Sequence, residues 1–238
     1  MCTVSYIPLK TGFVFTSNRD ESPSRLTHPP SVHHTDFGHI IYPEDEKGGS
    51  WIGVDSGDRV ICLLNGAFEK HIRKDRYRKS RGKILIEAFN SFDFKSFVEH
   101  TNLIDIEPFT LIWIEFNKSE HIHELIWDGS GKHTNTLNSE ENHLWQSSTL
   151  YTPQQKITRQ SWFKNWLTDN AQKVSPDTLS FHTKSYTFDS ECDILMKRAN
   201  VETVSISQIR IDTNLTQFKY IDLVRNQEHI TDFVKVRD

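Results

Sequence analysis

The spacing of apolar residues changes period four times along this chain, and that alternation limits the folds open to it. Up to residue 64 apolar positions alternate or run in short blocks, as in Thr3-Val4-Ser5-Tyr6-Ile7, Phe13-Val14-Phe15-Thr16, Trp51-Ile52-Gly53-Val54 and Arg59 to Leu64. β-branched and aromatic residues in such blocks read as strands. Pro8 to Gly12 folds the first two into a hairpin, and Ser56-Gly57-Asp58 turns the second pair. Residues 21–30, with Pro23, Pro29 and Pro30, read as a loop. From Arg78 the period becomes helical: Ile84, Leu85, Ala88, Phe89 and Phe92 mark a helix over 78–90, and residues 94–99 continue as a second. Strands return over 109–116 and 121–127, joined by Asn117-Lys118-Ser119, then near 134–137 and 145–150. Thr152-Pro153 starts a helix to about 168, burying Ile157, Trp162, Phe163, Trp166 and Leu167, and Ser175-Pro176 repeats the start signal for a shorter one to about His182. Strands over 201–209, 218–223 and 229–234 end the order. Strands, helices, strands, helices, strands give an α+β layout with mainly antiparallel sheets, and no linker divides residues 1–238 into more than one domain.

Charge and cysteine usage narrow the function classes. A net charge of -4 over 238 residues gives no basic face, so nucleic acid is a poor partner. Three cysteines, Cys2, Cys62 and Cys192, make an odd set without a close pair. That argues against a disulfide framework and for a reducing compartment. The start of the chain lacks a basic-then-apolar leader, and no run reaches 18 apolar residues, so a cytoplasmic protein without a membrane span is expected. Cys62, inside an apolar strand, reads as a packed core thiol. Cys192 sits between Glu191 and Asp193, which disfavour a thiolate. His121 and His123 share a strand face and His33-His34 are adjacent, but a third ligand at metal spacing is missing. Neither a metal nor a cofactor is expected.

Cys2 is the residue that points to chemistry. Removal of Met1 before its small side chain would leave a thiol and a free amine on one carbon, a nucleophile with its own base. An α-amine with a pKa near ~8 is partly neutral at working pH. It can take the thiol proton and hand it to a leaving amine. The hairpin sets Cys2 beside Asn18-Arg19-Asp20-Glu21, where a carboxylate, Asp20, can hold the amine and a cation, Arg19, can stabilise the thiolate. Asn65, an amide at a strand end before Gly66, is a candidate donor to the oxyanion of a tetrahedral intermediate. The basic run from Glu69 to Lys79 reads as a solvated loop or as an anion site at the mouth of a cleft, with His71 as a substrate contact. Trp51, after two glycines, belongs to the site or to the core.

Met1-Cys2-Thr3-Val4, Asn18-Arg19-Asp20-Glu21 and Gly48-Gly49-Ser50-Trp51-Ile52-Gly53-Val54, in that order, resemble the transport and Golgi organisation 2 family, also called the NRDE family. Weaker agreement continues through Leu64-Asn65, Ser80-Arg81-Gly82 and Tyr151-Thr152-Pro153. That family in turn resembles N-terminal nucleophile hydrolases of the penicillin V acylase and bile-salt hydrolase type. The resemblance implies a four-layer αββα sandwich and amide hydrolysis with Cys2 as nucleophile and amine base. It maps the amine-holding Asp to Asp20, the Arg near the thiol to Arg19, and the oxyanion-hole Asn to Asn65. It also marks two departures. Ser147, a shorter donor, stands where those enzymes carry a second Asn. Their late-strand Arg, followed closely by Thr, has no match in Val201-Glu202-Thr203-Val204, with Arg198 and Arg210 nearby but out of register.

The expected function is cleavage of a linear C–N amide bond in a small acyl-type substrate. Its rival is a binding or carrier protein for haem or an acyl lipid on the same scaffold. In a third reading the motif only builds the fold, with Asp20 satisfying backbone donors.

Overall fold

The computed structural model describes residues 2–35, 37–116, 121–171 and 178–234, with the side chains of 2, 121, 233 and 234 outside that description. The chain begins with an antiparallel hairpin, β1 (Cys2–Leu9) and β2 (Gly12–Glu21). It continues through β3 (Thr27–Thr35), β4 (Gly38–Asp45), β5 (Ile52–Asp55) and β6 (Arg59–Asn65) to the helices α1 (Arg81–Phe89) and α2 (Phe94–His100). Next come β7 (Phe109–Glu115), β8 (His121–Trp127), β9 (Lys132–Asn138) and β10 (His143–Gln146), and then α3 (Pro153–Asn170) and α4 (Ser180–Thr183). The last strands are β11 (Glu202–Asp212), β12 (Leu215–Asp222) and β13 (Gln227–Val234).

Among the described residues these strands form a six-stranded sheet, in the order β10-β1-β2-β11-β12-β13, and a seven-stranded sheet running β3 to β9 in sequence. The two sheets face each other across one apolar layer. Val4, Phe13, Phe15, Ile209 and Phe218 from the first meet Ile52, Val60, Cys62, Leu64 and Ile112 from the second. Cys62 is the core thiol that its apolar strand implied. The outer faces are covered by helices. α1 and α2 bury Ile84, Leu85, Phe89 and Phe97 on the seven-stranded sheet, while α3 and α4 bury Phe163, Trp166 and Phe181 on the six-stranded one. This is the four-layer αββα sandwich, rich in strand. β6 explains why its sequence does not alternate: Val60, Cys62 and Leu64 face the other sheet, Ile61 and Leu63 face the helices, so both faces need apolar side chains.

Several local expectations change. The loop over 21–30 gives way to β3, an edge strand whose Pro29-Pro30 sits where the ladder shifts between His28 and Ser31, a place that needs no N–H donor. β4 carries Ile40, Ile41 and Tyr42 but has little alternation to mark it beyond them. The strand expected over 145–150 ends at Gln146. Ile157 is 63 % exposed and so is not on the buried face of α3, and Phe92, 68 % exposed, lies beyond the end of α1 at Phe89. In α3 the buried stripe is Arg159, Phe163, Trp166 and Asn170, with Trp162 and Leu167 packed at its margin. The Ser175-Pro176 start signal and the Asn117-Lys118-Ser119 connection lie outside the described residues; the described helix near His182 is α4, which begins at Ser180 after a turn.

Two of the sequence motifs meet through backbone. A Cβ on Gly82, in the first turn of α1, would lie 3.0 Å from the backbone N and O of Ser50, and one on Gly49 would lie 3.1 Å from Gly82 Cα. The Gly-Gly-Ser segment and the start of α1 touch because neither has a side chain there. Gly82→Ala is therefore expected to destabilise the fold by about 1–3 kcal/mol, overpacking outweighing the helix preference for alanine of about 1 kcal/mol. Gly57→Ala, whose Cβ meets nothing closer than 3.4 Å, should stay within about 0.5 kcal/mol. Urea denaturation of the two variants decides; equal midpoints would refute the contact.

Candidate active site

Strand β2 delivers its four motif residues to two different faces. Asn18 and Asp20 point toward the helices, whereas Arg19, on the opposite face, points between the sheets. The Arg19 guanidinium stacks over the Trp51 ring at 4.5 Å and donates to Thr27 Oγ1 at 3.0 Å, with Glu21 Oε2 4.0 Å away. Arg19 is 3 % exposed. Burial pushes the Glu21 carboxyl up, but the charge of the amino terminus, the Ser22 N–H, Arg25 and Arg19 outweigh it and hold it below the usual range. The β1–β2 ladder sets the backbone of Cys2 directly opposite Arg19, and paired positions share a sheet face. The Cys2 side chain itself lies outside the described residues.

Arg19, Trp51 and Asn65 line one cleft of about 300 Å³, open between the end of the six-stranded sheet and the loop before α1. Asn65 ends β6, and its corner is held by backbone contacts. Ser147 Oγ donates to Asn65 O at 2.7 Å, Thr110 Oγ1 donates to Gly66 O at 3.1 Å, and Gly66 N donates to Pro108 O at 2.9 Å. Gly66 adopts φ +90°, and a Cβ there would sit 2.3 Å from Ser148 Oγ. The Asn65 side-chain amide makes no hydrogen bond among the described residues, which leaves it able to donate to a ligand. Ser147 is 1 % exposed and does not line the cleft; its hydroxyl acts on the Asn65 backbone instead.

The basic run forms the cleft mouth. Arg73, Lys74, Tyr77, Lys79 and Arg81 line it with Glu107 between them. Arg81 Nη2 lies 3.1 Å from Glu107 Oε2, His71 Nε2 lies 3.2 Å from Glu107 Oε1, and Arg73 Nε lies 3.8 Å from that oxygen. His71 thus stands behind the mouth on Glu107 and is not part of the wall. Burial lowers the Arg81 pKa to about 10, against the pull of Glu107, and it stays charged at neutral pH.

Asp20 does not line the cleft. It is fully buried beneath it, accepting from Tyr151 Oη at 2.8 Å and from Thr203 Oγ1 at 2.8 Å. Burial raises its pKa, opposed by the charges of the amino terminus and Arg159 and by those two hydroxyls. Arg159, Tyr151 and Thr203 were not among the expected site residues. The signal for Arg159 is its place on the buried stripe of α3; that for Thr203 is the late-strand threonine itself. Arg198 reaches Tyr151 from the surface, 5.7 Å from the ring, and donates to the Leu150 and Glu191 carbonyls.

Asn18 does structural work. Its Nδ2 donates to His182 O at 3.2 Å and Ile194 O at 3.0 Å, so its Oδ1, 2.7 Å from His182 Nδ1, must accept a proton from that nitrogen. His182 Nε2 then accepts from Ser5 Oγ at 2.7 Å. All three are buried, and burial, with Arg159 nearby, lowers the His182 pKa to about 3. Among the described residues no cluster of three or more His, Cys, Asp or Glu side chains suited to a metal occurs. His33 stacks on Tyr42 at 3.9 Å and His123 on Phe94 at 4.7 Å. Cys192 is buried and its thiol is pushed up by burial. No described helix is long and apolar enough to cross a membrane.

Comparison with known proteins adds three findings. The family profile for transport and Golgi organisation 2 matches residues 1–231. No protein of curated function matches the chain by sequence. Solved structures similar in fold include the conjugated bile acid hydrolase of Clostridium perfringens in a form with Cys2 replaced by alanine (12 % identity, TM-score 0.57, 98 % of this chain and 92 % of that one). An arginine-to-leucine variant of the same hydrolase is similar at 11 % identity and TM-score 0.58, over 97 % of this chain and 92 % of that one. Penicillin V acylase from Agrobacterium tumefaciens is similar at 9 % identity and TM-score 0.55, over 98 % and 86 %.

The buried imidazole gives a pH prediction. With its folded pKa depressed to about 3, His182 stays neutral in the native state while the unfolded imidazole gains a proton below its usual value near ~6.5. This group's contribution is therefore complete above that value and falls as pH drops, by about 1.4 kcal/mol per unit, until the folded pKa is reached. Between about pH 7 and about pH 5, His182→Gln should lose roughly 2 kcal/mol less stability than the parent in urea titrations. Parallel pH dependences would show that His182 is not held neutral.

Proposed function

Because this chain belongs to the transport and Golgi organisation 2 family, built here on a hydrolase-like sandwich, we propose that it is a cysteine N-terminal nucleophile amidohydrolase that cleaves a linear C–N bond in a small acyl-type substrate. The observation that carries this reading is the ladder register that sets Cys2 opposite Arg19, at the cleft lined by Trp51 and Asn65.

In this mechanism removal of Met1 frees the amine of Cys2. The amine takes the thiol proton, and the thiolate attacks the amide carbon. Arg19, desolvated and stacked on Trp51, favours the thiolate by charge. The oxyanion of the tetrahedral intermediate accepts from the Asn65 side-chain amide and a backbone N–H. Collapse breaks the C–N bond, and the protonated amine of Cys2 gives its proton to the leaving nitrogen. Water, deprotonated by the same amine, then attacks the thioester, and the acid and the thiol are released. Asp20, below the cleft, anchors the α-amine.

The carrier reading is favoured by Ser147. Its hydroxyl is used on the Asn65 carbonyl, so that position supplies no side-chain donor to an oxyanion. Haem or an acyl-coenzyme A bound stoichiometrically without product would support that reading.

The tests follow from the roles. Intact-mass spectrometry of active protein should find Met1 absent, and Cys2→Ala should abolish turnover of any small acyl amide found by screening. Asn65→Ala should lower kcat about 10²–10³-fold, with the fold and the KM largely kept. Retained Met1 in active protein, or an active Cys2→Ala variant, would overturn the mechanism.

A further inference from the structure

Arg159 is fully buried in the middle of α3, on the same stripe as Phe163 and Trp166. A leucine there would continue the apolar face. The guanidinium instead uses every nitrogen. Nε donates to Gln146 Oε1 at 2.9 Å, Nη1 to Cys192 O at 2.6 Å and to Asp193 O, and Nη2 to Thr3 Oγ1. All these acceptors are neutral, and no carboxylate lies within ion-pair distance of Arg159 among the described residues. A buried cation with only neutral partners is costly, so what offsets it must lie one contact further out. The guanidinium carbon sits 3.9 Å from the centre of the Tyr151 ring, and Tyr151 Oη donates to Asp20 at 2.8 Å. The buried positive and negative charges are thus separated by a single phenol. On its other side the same guanidinium grips Thr3, the neighbour of Cys2 in β1.

We propose that Arg159 is a positioning residue: it sets Asp20 through Tyr151 and fixes the leading end of β1 through Thr3. The value of that placement to an α-amine rests on the proposed amide hydrolysis; the placement itself does not. Asp20 feels the charges of the amino terminus and of Arg159 from α3, and it accepts from Tyr151, in the segment before α3, and from the non-ionising Thr203 of β11. Arg159 is the cation among them that the fold supplies whether or not Met1 is removed.

The test compares the parent with Arg159→Met, which removes charge and fork, and Arg159→Lys, which keeps the charge and loses the fork. The first readout is the titration midpoint of the Asp20 carboxyl by NMR of protein carrying ¹³C-labelled aspartate, assigned with Asp20→Asn. The second is the rate of alkylation of Cys2 near ~pH 7, read on the N-terminal peptide by mass spectrometry. In Arg159→Met the midpoint should rise by about one pH unit or more, a tenfold change in the ionisation constant, and alkylation should slow about tenfold. In Arg159→Lys the midpoint should hold while alkylation still slows. Should Arg159→Met not fold, Arg159→Gln, which keeps an amide donor for the buried carbonyls, carries the same two expectations. A folded neutral variant with the parent's Asp20 midpoint overturns the proposal. A parent whose Cys2 alkylates like an ordinary thiol overturns the amidohydrolase reading instead and leaves the midpoint to decide the role of Arg159.

Discussion

A strand carrying Asn, Arg, Asp and Glu in succession runs through this molecule with its first three side chains out of water, and the neighbouring elements answer that fact one residue at a time. A buried polar group costs free energy comparable to a lost hydrogen bond unless it is partnered, and a buried charge costs more. Asn18 is met by His182 and the carbonyl of Ile194, Arg19 by the face of Trp51 and by Thr27, and Asp20 by Tyr151 and Thr203. Alternation along the strand sends these demands to both faces of the sheet. One face needs the helical layer and the other needs the second sheet. The motif therefore ties three of the four layers together before any chemistry is asked of it.

This explains why part of the site was legible in the sequence and part was not. The motif and the Gly-Gly-Ser-Trp segment are each contiguous in sequence, and Arg19 meets Trp51 and Thr27 within the first quarter of the chain, while the glycines touch Gly82 through backbone. Strands such as β6 announce themselves because an apolar run buried on both faces has few other uses. The partners of Asp20 lie 131 and 183 residues further on; the late-strand threonine is a signal for Thr203, but its sequence neighbours do not tie its hydroxyl, or that of Tyr151, to so distant a carboxylate. Arg159 was hidden for a different reason. An arginine within a helix is normally read as solvated, and only the register of Phe163 and Trp166 shows that it faces inward. Ile157 was misread in the opposite sense, an apolar side chain left on the outer face. β3 and β4 were poorly visible because an edge hairpin tolerates prolines and histidines that a central strand excludes.

The charges around the cleft fall into two classes with different weight. Those at the mouth are numerous and mixed: Arg73 and Lys74 are exposed, so their pairs are screened and worth little individually, whereas Glu107 holds Arg81 and His71 in a largely buried group. They shape the entrance without committing it to one ligand. Arg19 and Asp20 sit where screening is weak, so small changes in their position alter the energy of nearby protons far more. In the proposed mechanism the chemistry accordingly rests on two buried charges on opposite faces of one strand, not on the conspicuous basic run in front of it.

Position 147 shows how a departure in the sequence can keep a geometric role. A serine there is too short to serve as the second amide donor, and its hydroxyl instead bonds the carbonyl of Asn65 at 2.7 Å. Together with the clamp on Gly66, that contact fixes the corner from which the Asn65 amide projects. A donor whose backbone is fixed loses little freedom when it binds an oxyanion, which is the condition under which such donors lower a barrier most. Fewer donors held more firmly and more donors held loosely are two routes to the same stabilisation. In the amide hydrolysis proposed above, the hydrogen bonds at this corner would belong to the first.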